Sequence, residues 1–95
     1  GSYTGNGASQ TIDCGFTSGA RFVLIKKTSA VGYWSLFDTA RGIVAGNDKL
    51  LRLDTTDAEL TAWDSIDPHD SGFTVQTSSA DLNDNGVSYI FYAIA

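Results

Sequence analysis

The chain has 95 residues, a formal net charge of −5 and 42% hydrophobic residues. That length makes one domain with a single modest core, and that hydrophobic content excludes a disordered chain. Six Lys and Arg against eleven Asp and Glu argue against phosphate neutralisation, and so against nucleic-acid binding. No apolar run reaches the ~18 residues that a membrane helix needs.

Ten glycines, one proline and many Ser and Thr suit an all-β protein with frequent tight turns. The lone cysteine, Cys14, excludes an intrachain disulfide. Methionine is absent, and Gly1-Ser2 reads as a scar of tag removal, which leaves residues 3–95 as the domain. Tyr3 to Ala8 reads as a flexible entry with two glycines. From Ser9 to Phe16 the pattern alternates, with Ile12, Cys14 and Phe16 on one face of a half-buried strand. On that face Cys14 is a small buried hydrophobe rather than a nucleophile or metal ligand, since no matching His motif accompanies it.

Arg21 to Lys27 holds four consecutive apolar residues and predicts an interior strand. Lys26-Lys27 at its end reads as a guard against edge pairing. Tyr33 to Phe37 predicts a strand with Trp34 and Leu36 on one face. Asp38-Thr-Ala-Arg41 follows as a polar corner, where the two charges can clamp a turn. Gly42 to Gly46 is a short strand or a loop, Asn47-Asp48 a turn signal, and Leu50 to Leu53 a short strand. Thr56-Asp-Ala-Glu59 fits a capping box opening one helical turn through Trp63, or a loop entering a strand near Leu60 to Ile66. Asp64 to Gly72 is read as a surface loop, Phe73 to Thr77 as a strand, and Ser78 to Gly86 as a polar connection.

The last strand, from Tyr89, is apolar or aromatic on both faces. That predicts a central strand, with one face in the core and the other under a loop or a partner chain. The count is seven or eight short strands, which predicts a single antiparallel β-sandwich, jelly-roll-like or immunoglobulin-like.

The candidate sites are few. Trp63 lies in the least regular region and is the aromatic expected to be exposed. With Asp67, His69 and Asp70 it forms the candidate binding set, combining stacking with hydrogen-bonding groups. Asp81-Leu-Asn83-Asp-Asn85-Gly86 resembles the first half of a calcium loop, which makes Asp81, Asn83 and Asn85 candidate ligands. The twelfth position, however, is Tyr92 where a calcium loop has glutamate, so the stretch reads as a polar turn at Asn85-Gly86 and no metal or cofactor is expected. His69 with Ser71 and nearby aspartates lacks the rigid framework of a catalytic triad, and no carboxylate pair stands out for glycoside chemistry. The reading is therefore non-enzymatic.

Several motifs occur in a set order: Tyr3-Thr-Gly-Asn-Gly-Ala8, Gln10-Thr-Ile-Asp-Cys-Gly-Phe16, Arg21-Phe-Val-Leu-Ile-Lys26 and Trp34-Ser-Leu-Phe-Asp38-Thr-Ala-Arg41-Gly42. Then come Ala58-Glu59, Ser71-Gly-Phe73 and Asn85-Gly86, leading to Tyr89-Ile-Phe-Tyr-Ala-Ile-Ala95. This order resembles a small β-sandwich domain of uncharacterised function found in tail-fibre and other structural proteins of tailed, often marine, bacteriophages. The resemblance implies a non-enzymatic component at the virion surface, structural or host-attaching. It implies other virion chains as partners, a homotrimer among the options, and a host-surface glycan as a possible ligand. The alternative is a carbohydrate-binding module of a secreted bacterial protein.

Overall fold

In the computed structural model, which describes residues 1–76 and 80–95, the alternating stretches are strands. Among the described residues these are β1 (Ser2–Thr4), β2 (Gln10–Asp13), β3 (Phe22–Lys27), β4 (Trp34–Asp38), β5 (Asp48–Arg52), β6 (Leu60–Trp63), β7 (Ile66–His69), β8 (Gly72–Val75) and β9 (Ser88–Ile94). A single helical turn, α1 (Ala80–Asn83), precedes β9. The strands form a six-stranded sheet in the order β1-β9-β3-β4-β5-β6 and a three-stranded sheet β2-β8-β7, paired antiparallel throughout. The protein is thus the predicted antiparallel sandwich, with more strands than the seven or eight expected.

Side-chain alternation places the core between the sheets. Val23 and Ile25 of β3, Phe37 of β4 and Tyr89 of β9 point inward from the large sheet and are fully buried. Ile66, Phe73 and Val75 meet them from the small sheet, also fully buried. Phe91 of β9 packs edge-on against Phe73, with ring centroids 5.4 Å apart. Tyr89 stacks on Tyr3 at 4.9 Å and accepts a hydrogen bond from the Asp84 backbone N–H.

The remaining differences from expectation have identifiable causes. Ser2 takes part in the sheet, because β1 pairs with β9 from Ser2↔Ile90 to Thr4↔Ser88. Gly5, next along, has no room for a side chain: a Cβ there would lie 2.1 Å from the Asp84 carbonyl oxygen. Lys27 guards no edge, since β3 lies between β9 and β4. It is inward-facing and buried, with its ammonium 3.7 Å from the Asp84 carboxylate.

The expected loop from Asp64 to Gly72 contains β7, an edge strand; Pro68 is tolerated there because an edge position has no second neighbour to donate to. Of the two readings around Thr56, the loop entering a strand is the one adopted, as β6 begins at Leu60. The strand expected to reach Thr77 ends at Val75. Residues 77–79, including the start of the connection, lie outside the described residues, and α1 follows them within the connection. Finally, β9 is covered on one face only: Ile90 is 43% and Tyr92 63% exposed.

Candidate functional site

Arg52 ends β5, the penultimate strand of the large sheet, and its neighbours come from separate parts of the chain. Tyr33, from the β3–β4 connection, presents its ring 3.9 Å from the guanidinium carbon. Trp63, at the end of the edge strand β6, presents its ring at 5.2 Å. Guanidinium groups stack favourably on aromatic faces, because the ring quadrupole attracts the cation. The two terminal nitrogens reach carboxylates on either side, with Nη1 3.5 Å from Asp57 Oδ2 and Nη2 3.5 Å from Asp81 Oδ2. The Arg52 side chain is only 12% exposed, and its Nε is buried without a partner among the described residues. Both rings keep open surface, as Trp63 is 47% and Tyr33 38% exposed. The cluster therefore offers flat apolar faces beside fixed charges of both signs. That combination suits the apolar face and hydroxyl groups of a sugar or another flat polar molecule.

The predicted binding set is divided. Trp63 belongs to the arginine clasp. Asp67 is half-buried in β7 and accepts a hydrogen bond from the Gln76 amide. His69 and Asp70 lie exposed at the β7–β8 turn, beside a shallow cavity of about 270 Å³ lined also by Gly19, Ala20 and Thr39. His69 Nδ1 is 2.9 Å from Ser71 Oγ and accepts from the Ser71 backbone N–H at 3.2 Å, so this pair braces the turn. Sequence reasoning missed Arg52 and Tyr33. Their spacing from Trp63 carries no local signal; only the strand order brings them together.

Two of the three candidate calcium ligands are engaged by protein groups. Asp81 faces Arg52. Asn83 is buried: its Oδ1 accepts from the Asn6 backbone N–H at 3.1 Å and from Gln10 Nε2 at 2.8 Å, while its Nδ2 donates to the Ala8 carbonyl at 2.6 Å. It ties the entry segment to α1. Asn85 is exposed. Among the described residues no cluster of three or more His, Cys, Asp or Glu could hold a metal ion.

Elsewhere, Asp38 and Arg41 form the expected clamp. Arg41 donates from its backbone N–H to Asp38 Oδ1 at 2.7 Å and from Nε to Asp38 Oδ2 at 2.8 Å, and it reaches Glu59 at 3.3 Å. Burial alone would raise the Asp38 pKa, but the hydrogen bonds and charge of Arg41 outweigh it and hold the carboxyl below its ordinary value. Cys14 is half-buried, and burial pushes its thiol up, away from the reactive thiolate.

A second group of carboxyls, Asp64 and Asp48, is shifted the opposite way. Burial raises Asp64, with the charge and hydrogen bond of Asp67 adding to it. Burial also raises Asp48, against three backbone N–H donors that lower it. In both cases the folded state favours the protonated form. Between the ordinary carboxylate value and the raised one, the native protein binds more protons than the unfolded chain, so stability falls as pH rises through that window. Thermal melting from pH 4 to pH 7 should show the midpoint declining as pH rises above the ordinary carboxylate value, and Asp64→Asn should flatten the decline. A midpoint that rises steadily towards pH 7 would contradict the assignment.

These features define a class: an antiparallel β-sandwich carrying an aromatic-clasped arginine beside an open sheet edge. The chain belongs to the family described as Domain of unknown function (DUF7483), whose model matches residues 1–95. No curated protein and no solved structure matches the chain.

Proposed function

We propose that this domain is a non-enzymatic host-attachment module of a phage virion, and that it binds a surface glycan through the Tyr33–Arg52–Trp63 clasp. The observation that supports this reading is the pair of open aromatic faces set against a guanidinium and two carboxylates. Stacking surfaces beside hydrogen-bonding groups of fixed orientation are what a saccharide ligand needs. The virion setting rests on the resemblance of the ordered motifs to phage fibre domains. A carbohydrate-binding module of a secreted bacterial protein is the second reading, favoured by the same rings.

The test displays the domain multivalently and measures binding to a glycan array and to intact bacteria. Weak single contacts are amplified in that format. Trp63→Ala and Tyr33→Ala should each weaken binding about tenfold, equivalent to roughly 1.4 kcal/mol. Binding to whole cells of a phage host supports attachment, whereas binding confined to soluble polysaccharides favours the second reading. Binding unchanged by both substitutions would remove the clasp from the function.

A further inference from the structure

The clasp around Arg52 carries more negative charge than positive. Asp57 and Asp81 face its two terminal nitrogens, and both stay open to solvent, their side chains 53% and 37% exposed. A third carboxylate, Asp54, stands two residues beyond Arg52 and accepts from the backbone N–H of Trp34, the neighbour of Tyr33, at 3.2 Å. Thr55 fixes Asp57: its Oγ1 donates to Asp57 Oδ2 at 3.1 Å and accepts from the Asp57 backbone N–H at 3.2 Å. Three carboxylates against one guanidinium leave two negative charges in excess. Among the described residues no other cation offsets them. Lys27 points to the same side of the sheet as Arg52, through the registers Ile25↔Ser35 and Ser35↔Arg52, but it is buried and faces Asp84. Alternation along β3 and β5 puts Lys26 and Lys49 on the opposite face. Arg41 is taken up by Asp38 and Glu59, and Arg21, ahead of β3, reaches the Ala95 carbonyl.

We propose that the clasp selects saccharides bearing free amino groups and rejects acidic ones. The inference rests on the reading of the clasp as a glycan site and narrows that reading to one class of glycan. An arginine beside aromatic rings ordinarily suggests a carboxylate or phosphate ligand. Here Arg52 is already spent: its side chain is nearly covered, its Nε is buried and its terminal nitrogens face carboxylates of the same chain. An incoming anion therefore meets Asp54, Asp57 and Asp81 before it meets the guanidinium. An incoming ammonium meets surroundings that already hold one cation, two aromatic rings and two carboxylates around a guanidinium. The open surfaces of Tyr33 and Trp63 attract a second cation by the same quadrupole that holds the first. A sugar ring stacked there brings its amine within reach of the exposed carboxylates.

The test compares three trisaccharides that share the ring and linkage of cellulose: the trimer of glucosamine, cellotriose itself, and the trimer of glucuronic acid. Each is titrated into the isotope-labelled chain at about pH 6, where amines are protonated and carboxylates ionised. The Trp63 indole N–H resonance, identified by its absence in Trp63→Ala, reports binding. In about 0.01 M salt the amino trimer should bind roughly tenfold more tightly than cellotriose, and the acidic trimer should not bind measurably. In about 1 M salt the amino advantage should fall to about twofold, as the Debye length drops from about 30 Å to about 3 Å. Asp57→Asn and Asp81→Asn should each cut the amino advantage over cellotriose about threefold, the ratio cancelling any general loss of fit. Far-UV circular dichroism checks that each variant keeps its strand signal. An acidic trimer that binds best, an amino trimer no tighter than cellotriose, or an advantage indifferent to both substitutions overturns this inference and leaves the glycan site standing. No response to any of the three overturns the glycan site, and this inference with it.

Discussion

Tyr89→Ala should lower the unfolding free energy by about 4 kcal/mol, as truncation of a fully buried aromatic does. Tyr89 has no exposed surface, stacks on Tyr3 and accepts from the Asp84 N–H. Its loss opens a cavity and also leaves that N–H without its acceptor. With total stabilities near 5–15 kcal/mol, the variant should be marginal at room temperature. Urea denaturation reads the effect as a fall in midpoint at constant slope. Tyr89→Phe separates the two contributions and should cost about 1 kcal/mol, the ordinary net value of one hydrogen bond. Phe91→Ala should cost less than Tyr89→Ala, because Phe91 is only half-buried. A Tyr89→Ala midpoint close to the parent's would mean that β9 is peripheral.

Asp48→Ala is the second large effect. Its carboxylate accepts from the Val44 N–H at 3.0 Å, the Ser65 N–H at 3.2 Å and the Ile66 N–H at 3.0 Å, and the residue is almost wholly buried. It thereby fastens the crossing from β6 to β7, where the chain leaves one sheet for the other. Removing it strands three donors, each costing about 1–3 kcal/mol if left unpaired. Partial rehydration limits the sum, so a loss of about 3 kcal/mol is expected, with Asp48→Asn losing roughly half because one acceptor oxygen remains. Equilibrium denaturation at pH 7 measures both. Equal, small losses for the two variants would show that water replaces the carboxylate freely.

Much of the sandwich was legible because β2 and β8 alternate apolar and polar side chains, while β3 and β9 are continuous apolar runs that announce interior strands. β1 and β7 were not. Edge strands need no inward and outward alternation on both sides, and Asp67-Pro68-His69 reads locally as a loop. Trp63 could be recognised as exposed from its polar surroundings. Its partners could not, since Tyr33 and Arg52 reach it through strand order, which no local spacing encodes. Asp48 looked like a turn residue, and in sequence a buried carboxylate serving backbone N–H groups looks the same as an exposed one.

The position of β9 bears on how the chain reaches this structure. The last strand fills the gap between β1 and β3, the first and third strands in sequence. Until Ser88–Ile94 is available, β1 has no neighbour in the sheet and β3 presents an open apolar edge. Nearly the whole chain must be made before the large sheet can close, and that closure joins residues about as far apart in sequence as the chain permits. Pairings of such long sequence separation set slow folding rates, because the entropy of closing the loop is lost before the contacts that reward it form. Synthesis on the ribosome therefore leaves this sheet unfinished until β9 emerges, and the exposed β3 edge is where a newly made copy is most open to mispairing with another.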